Sequence, residues 1–257
     1  MRSKFDEQLA LLNRDLTKMG SLCEEALALA AKALANADGQ TAAKIAPIDS
    51  EIDQMERTIE SLCLKLLLQQ QPVARDLRQI SAALKMVTDM ERIGDQASDI
   101  AEIIGFLNGR IGTDAQYICQ MAVAAMRMVT ESVEAYVKRD VAMAEATIQH
   151  DDVVDDLFLK VKESLIQMIS ENPKDGEYAL DLLMIAKYFE RIGDHATNIA
   201  EWVIFSITVG GSLFGVVGMF LGVPCVAVLS YILNLTIEHF LKKRNIYITP
   251  YDNTDEM

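Results

Sequence analysis

The chain has 257 residues, 24 Lys+Arg against 38 Asp+Glu, and a formal charge of −14. With 51% hydrophobic and 24% charged residues it can bury a core, which excludes wholesale disorder. The acidity argues against a nucleic-acid partner, which needs a basic footprint, and five prolines with 6% aromatics speak against a sandwich or barrel.

The opening residues MRSKFDEQLA carry no apolar run, so no cleavable signal peptide is expected. From there Phe5, Leu9, Leu12, Leu16, Met19, Cys23, Ala26 and Ala30 recur at spacings of four and three. Ile45, Ile48, Ile52, Met55, Ile59, Leu62 and Leu66 do the same in the next segment. Such spacing makes a narrow apolar seam between long antiparallel helices. Cap and turn residues fall at Asp38-Gly39, near Gln71-Pro72, at Asn108-Gly109, near Asp140 and at Asn172-Pro173. They predict six helices, at roughly 4–37, 41–70, 74–107, 113–138, 141–171 and 176–206. Short connections imply up-down packing, so the fold class is all-α. Cys23, Cys63, Cys119 and Cys225 are scattered and form no C-x-x-C pair, which fits reduced thiols in a cytoplasmic protein.

The chain repeats itself. KMVTDMERIGDQASDIAE, from Lys85 to Glu102, is echoed by MIAKYFERIGDHATNIAE, from Met184 to Glu201, at an offset of 99. Asp49–Asp53 parallels Asp151–Asp155 at an offset of 102. Two tandem three-helix units follow, at 1–108 and 109–207.

On a helical wheel Met86, Met90, Ile93, Ala97 and Ile100 share one stripe, while Glu91, Asp95, Asp99 and Glu102 lie almost opposite. Glu190, Asp194, Asn198 and Glu201 repeat the acidic stripe. Asp49, Asp53, Glu56 and Glu60 line up beside the seam of the second helix, and Asp151 and Asp155 beside that of the fifth. Carboxylates one turn apart repel by a few tenths of a kcal/mol, roughly. A cation between them converts that repulsion into ligation, and all-oxygen donors suit Mg²⁺, Mn²⁺ or iron. Asp49, Asp53, Glu91 and Asp95 would form one metal site, and Asp151, Asp155, Glu190 and Asp194 a second. A lone acidic pair is ordinarily a solvated face; recurrence of both pairs in both halves favours metal.

Gly94 and Gly193 sit inside helices, where each costs ~1 kcal/mol relative to Ala, so their repetition predicts close helix approach. Arg92 and Arg191 also repeat and are expected in structural ion pairs. Glu-x-x-His of the ferritin type is absent, so His150 and His195 are read as solvated or behind the ligands. Met86, Met90, Met121, Met126 and Met128 read as core filler. No G-x-S-x-G, Walker A or Cys/His constellation occurs.

RSKFDEQLALLNRDL, QPVARDLRQI and the paired ERIGD segments resemble the PhoU family of phosphate-signalling regulators over residues 1–207. That resemblance implies a cytoplasmic six-helix bundle that often self-associates as a homo-oligomer. It implies no enzymatic activity. It implies negative regulation of phosphate uptake and of the starvation response, through binding to the phosphate ABC transporter and its sensor histidine kinase. It also implies metal binding by the eight carboxylates named above, with Asn198 in place of an acid making the two sites unequal. The alternatives are a carboxylate-bridged metal oxidase or hydrolase, and a permease fragment fused to a regulatory domain.

Residues 202–237 contain no charge, and Lys242-Lys243-Arg244 follow. The stretch VGGSLFGVVGMFLGVP resembles the last transmembrane segment of PerM-like autoinducer exporters. It predicts an apolar membrane-like tail at 208–241 and a polar C-terminus at 242–257. As one helix the uncharged run would be about 54 Å long, against ~30 Å of hydrocarbon. The glycines and Pro224 favour a shallow hairpin with both ends cytoplasmic, which would anchor the chain at the inner membrane. A recombined gene whose tail never inserts, and a seventh helix packed on the bundle, are the other readings.

Overall fold

A computed structural model describes residues 2–69, 74–107, 109–110 and 115–208. Among them are seven α-helices and one 3-10 turn. They are α1 (Arg2–Asn36), α2 (Gly39–Ala42), α3 (Ile45–Gln69), α4 (Ala74–Phe106), α5 (Gln116–Lys138), α6 (Val141–Glu171), the turn Pro173–Asp175 and α7 (Gly176–Thr208). The long helices match the six expected, with ends shifted by a few residues. The expected second helix is divided, because α2 closes at Ala42 and α3 restarts at Ile45. Pro47, which has no N–H to donate, falls in the first turn of α3, the place where a helix tolerates it.

Two helix ends are built alike. Ala37 (φ 52°) and Arg139 (φ 57°) take the left-handed conformation, 102 residues apart. The next residue then bonds back across the last turn, Asp38 N–H to Ala33 C=O at 3.0 Å and Asp140 N–H to Ala135 C=O at 2.9 Å. Each aspartate also caps the following helix. Asp38 accepts from Gln40 N–H at 3.0 Å, and Asp140 from Met143 N–H at 3.1 Å.

α1, α3 and α4 pack on one another, as do α5, α6 and α7. α4 lies along α7 and α1 along α5, which leaves α3 and α6 outermost. The seam residues build the core: Leu12, Leu16, Met19, Cys23, Ile52, Ile59 and Leu66 are fully buried, as are Met86, Met90, Ile93, Ala97 and Ile100. Each large side chain so buried contributes about 1.5–3 kcal/mol. Met121 and Met128 are also core, and Met126 packs against it. Gly20 marks the tight α1–α5 contact, where an added Cβ would meet Val133 Cγ1 at 3.1 Å.

No helix among the described residues is long and apolar enough to cross a membrane. The tail expected at 208–241 and the polar C-terminus at 242–257 lie, beyond Thr208, outside the described residues.

Candidate metal centre

α3 and α4 run antiparallel, so the acidic rows that each carries beside its apolar seam face each other. One carboxylate oxygen from each of Asp49, Asp53 and Asp95 lies within 4.8 Å of the other two. That spacing suits a shared hard cation, whose oxygen ligands sit ~2.0–2.6 Å from it. Asp49 Oδ1 is buried and has no hydrogen-bond partner, an expensive state for a carboxylate oxygen that ligation would relieve.

Gly94 explains how Asp49 gets there. A Cβ at Gly94 would lie 3.0 Å from Asp49 Oδ1 and 3.0 Å from Ile52 Cδ1. The glycine is a notch in α4 that admits the carboxylate of α3. Gly193 repeats the device in α7, where a Cβ would lie 3.1 Å from Asp151 Oδ1 and 3.6 Å from Val154 Cγ1. The close helix approach expected from the repeated glycines is therefore present, and each glycine serves an acidic residue of the preceding helix.

The electrostatics follow from crowding. Burial, then Asp95 and Asp53, raise the pKa of Asp49. Burial, then Asp95, Glu56 and Asp53, push Glu91 up to about 7. Asp95 is raised by burial, Asp53 and Asp99, and Glu56 by burial, Glu60 and Asp53. A cluster that holds protons near neutrality would exchange them for a cation. Glu56 thus belongs to the acidic group, although only Asp49, Asp53, Glu91 and Asp95 were expected there. Its signal was its place in the row 49, 53, 56, 60.

The second cluster is looser. Burial, then Asp155, Asp194, Glu190 and Asp152, push Asp151 to about 6, and Asp194 is raised chiefly by burial and Glu190. The four expected residues therefore feel one another's charge. Among the described residues, however, only Asp49, Asp53 and Asp95 bring three donor atoms into ligating range. Glu190 is engaged by Lys187, one turn earlier on the same helix.

Three expectations need correction. His195 is not solvated: it is 7% exposed, and its Nδ1 lies 2.8 Å from Asp89 Oδ1. Asn198 Nδ2 also donates to that oxygen, at 3.3 Å. This buried pair joins α4 to α7, and Asp89 gave no sign of it because its repeat equivalent is Tyr188. His150 is half-buried and faces Glu131, with Nδ1 2.9 Å from Oε2. Arg92 and Arg191 are exposed and, among the described residues, form no ion pair: two arginines at the same register point outward beside the clusters.

Fold and site together define an all-helical protein that carries paired acidic clusters on outward helix faces. Comparison with known proteins makes the class specific. The PhoU domain family matches residues 16–104 and 118–203, one match in each half. The chain is similar to a phosphate-specific transport system accessory protein PhoU homolog of Clostridium acetobutylicum, with 37% identity over 209 residues, covering 80% of this chain and 95% of that protein. The corresponding protein of Pseudomonas aeruginosa is 34% identical over 206 residues, covering 79% and 85%. The crystal structure of PhoU from Pseudomonas aeruginosa superposes with a TM-score of 0.76 at 34% identity, covering 79% of this chain and 98% of that one. The phosphate transport system regulatory protein PhoU from Streptococcus pneumoniae gives 0.72 at 25% identity, covering 80% and 97%. The chain belongs to the PhoU family.

Proposed function

We propose that this chain is a negative regulator of phosphate uptake and of the phosphate-starvation response, acting by binding rather than by catalysis. Its partners are the phosphate ABC transporter and the sensor histidine kinase, met at the cytoplasmic face of the inner membrane. The observation that carries the reading is the tandem match: both halves belong to the PhoU domain family, and relatives matched over most of their length are named phosphate-specific transport accessory proteins.

In this reading Asp49, Asp53, Glu91 and Asp95 hold one hard ion or cluster of ions, and Asp151, Asp155, Glu190 and Asp194 a second. Mg²⁺, Mn²⁺ and iron fit the all-oxygen donors. The bound ion supplies positive charge and ligation that tie α3 to α4 and α6 to α7. The orphaned oxygen of Asp49 supports the first site, and the repeated glycine notch supports both. An acidic surface fixed in this way selects partners with basic faces.

The test is genetic. Deleting the coding sequence from its host should leave a phosphate-starvation reporter switched on in phosphate-rich medium, and the full chain should restore repression. An Asp49→Asn/Asp95→Asn variant that accumulates normally should restore less. A reporter indifferent to the deletion would remove the regulatory reading, and full repression by the variant would remove the role of the metal.

A further inference from the structure

One corner of this acidic chain is basic. Where α4 begins and α5 ends, Tyr136 Oη donates to Gln79 C=O at 3.1 Å and ties the two helix ends together. That bond sets the neighbours. Arg78 precedes Gln79, Arg75 lies one turn earlier on the same side of α4, and Arg139 follows Tyr136 by one turn at the left-handed end of α5. Arg75 is exposed, and Arg78 and Arg139 are half-buried.

The three guanidiniums feel one another. Burial, then Arg75, lower the pKa of Arg139, and Arg78 lowers it further, while Tyr136 and Asp76 act the other way. None of the three arginines forms an ion pair among the described residues, in a chain whose 38 acids outnumber its 24 Lys+Arg. Arg78 Nε is buried and has no hydrogen-bond partner, a cationic counterpart of the orphaned Asp49 oxygen. Arg75 also stands in the first turn of its helix, the end at which the macrodipole disfavours a cation. Other charges of α5 and its turn are engaged: Lys138 pairs with Glu134 at 2.5 Å, and Asp140 caps α6. Asp76 offsets only one of the three positive charges. The repeat does not carry the corner over. Ala37 stands for Arg139 at the offset of 102, and Glu177 for Arg78 at the offset of 99. Ala37 ends α1 with the same left-handed turn, so closing a helix this way does not require an arginine.

The donors decide what fits. A carboxylate presents two oxygens, which one guanidinium fork fills. Three forks, with a buried Nε among them, call for three or more oxygens on one centre that carries more than one negative charge. A phosphoryl group has that form. We propose that Arg75, Arg78 and Arg139 bind a phosphoryl group, free or esterified, at the corner where α4 begins and α5 ends. The site is separate from the first acidic cluster: Glu91 lies thirteen residues further along α4, about 20 Å from Arg78.

The test uses the full chain, stripped of metal and kept in chelator. It is titrated calorimetrically with inorganic phosphate, with a nucleoside triphosphate and with phosphatidylglycerol vesicles. At least one should bind, and a soluble probe that binds should also raise the melting temperature. The tightest of the three names the source: a free anion, a phosphorylated metabolite or a lipid headgroup. Whichever it is, Arg75→Glu/Arg139→Ala should weaken it at least tenfold with helical circular dichroism unchanged. Arg75→Glu alone, at an exposed position, serves if the double variant unfolds. Arg78→Lys keeps the charge but loses the fork, and should also cost about tenfold. Arg127→Ala, in an ion pair within α5, should change nothing. Binding that persists in the arginine variants would overturn the site. So would a chain that binds none of the three probes, or that binds polyglutamate in their place. Arg78→Lys that binds as well as wild type would overturn the forked grip. These measurements read the isolated chain, so their failure leaves the regulatory reading, which the reporter tests, in place.

Discussion

The two halves share a register and differ in finish. The Asp49 cluster is tight, has an orphaned oxygen, and draws in Glu56, with Asp99 alongside. Around Asp151 the acids are looser; Lys187 engages Glu190, and Asn198 stands where the first half has Asp99. A glycine notch serves both. Duplication has kept the device that brings a carboxylate into the helix interface, while the charges around it have diverged.

The largest expected effect tests the joint between the halves. Asp89→Ala would leave His195 and Asn198 without their shared partner inside the α4–α7 contact and should cost about 3 kcal/mol or more. Urea denaturation measures it; a cost below ~1 kcal/mol would show that the halves are held by apolar packing alone.

The notches come next. Gly94→Ala meets both Asp49 Oδ1 and Ile52 at 3.0 Å, so the forced shift outweighs the ~1 kcal/mol gained in helix propensity. A net loss of about 1–2 kcal/mol and a weakened first site are expected. At Gly193 the nearest carbon is 3.6 Å away, so Ala should be closer to neutral. Equal losses at both positions would erase this difference between the halves.

Metal binding sharpens the comparison further. Calorimetric titration with Mn²⁺ should resolve two classes of site, about tenfold apart, a difference of about 1.4 kcal/mol. Asp95→Asn should remove the tighter class and Asp194→Asn the weaker. Loss of both classes on either substitution would mean that the sites are one.

A smaller effect concerns protons. Glu91 and Asp151 bind protons more tightly folded than unfolded, so metal-free protein should lose stability as pH rises. The fall runs from about 4.5 to 7 for Glu91 and from about 4 to 6 for Asp151. Glu91→Gln should flatten the upper part of the profile, and saturating Mn²⁺ should flatten it more. Stability that rises across this range would show that the carboxylates are not crowded. Smallest of all, Lys18→Ala should cost under ~0.5 kcal/mol, because the Lys18–Glu51 pair is exposed.

Much of the fold was legible because seam, cap and notch are local signals. Leu12, Leu16 and Met19 announce burial by spacing, and Asp38 and Asp140 announce helix starts by residue type. Gly94 and Gly193 announced a close approach by recurring. The Asp89–His195 pair was hidden because its members are 106 residues apart and neither recurs: the repeat equivalents are Tyr188 and Gln96. The short α2 was missed because Gly39–Ala42 is one turn long and carries no periodicity. The outward Arg92 and Arg191 were misread because recurrence shows that a position matters without showing which way it faces.

The Asp89–His195 contact has a consequence for how the polypeptide finds its own shape. α4 and α7 carry nearly the same ERIGD segment, so during folding α4 could lie along the α4 of another molecule as well as along its own α7. At that register a foreign α4 would offer Asp89 a glutamine, Gln96, in place of His195. Only a pairing of α4 with α7 gives the buried acid its imidazole, so a single unlike pair tells one repeat helix from the other where the repeats are otherwise interchangeable.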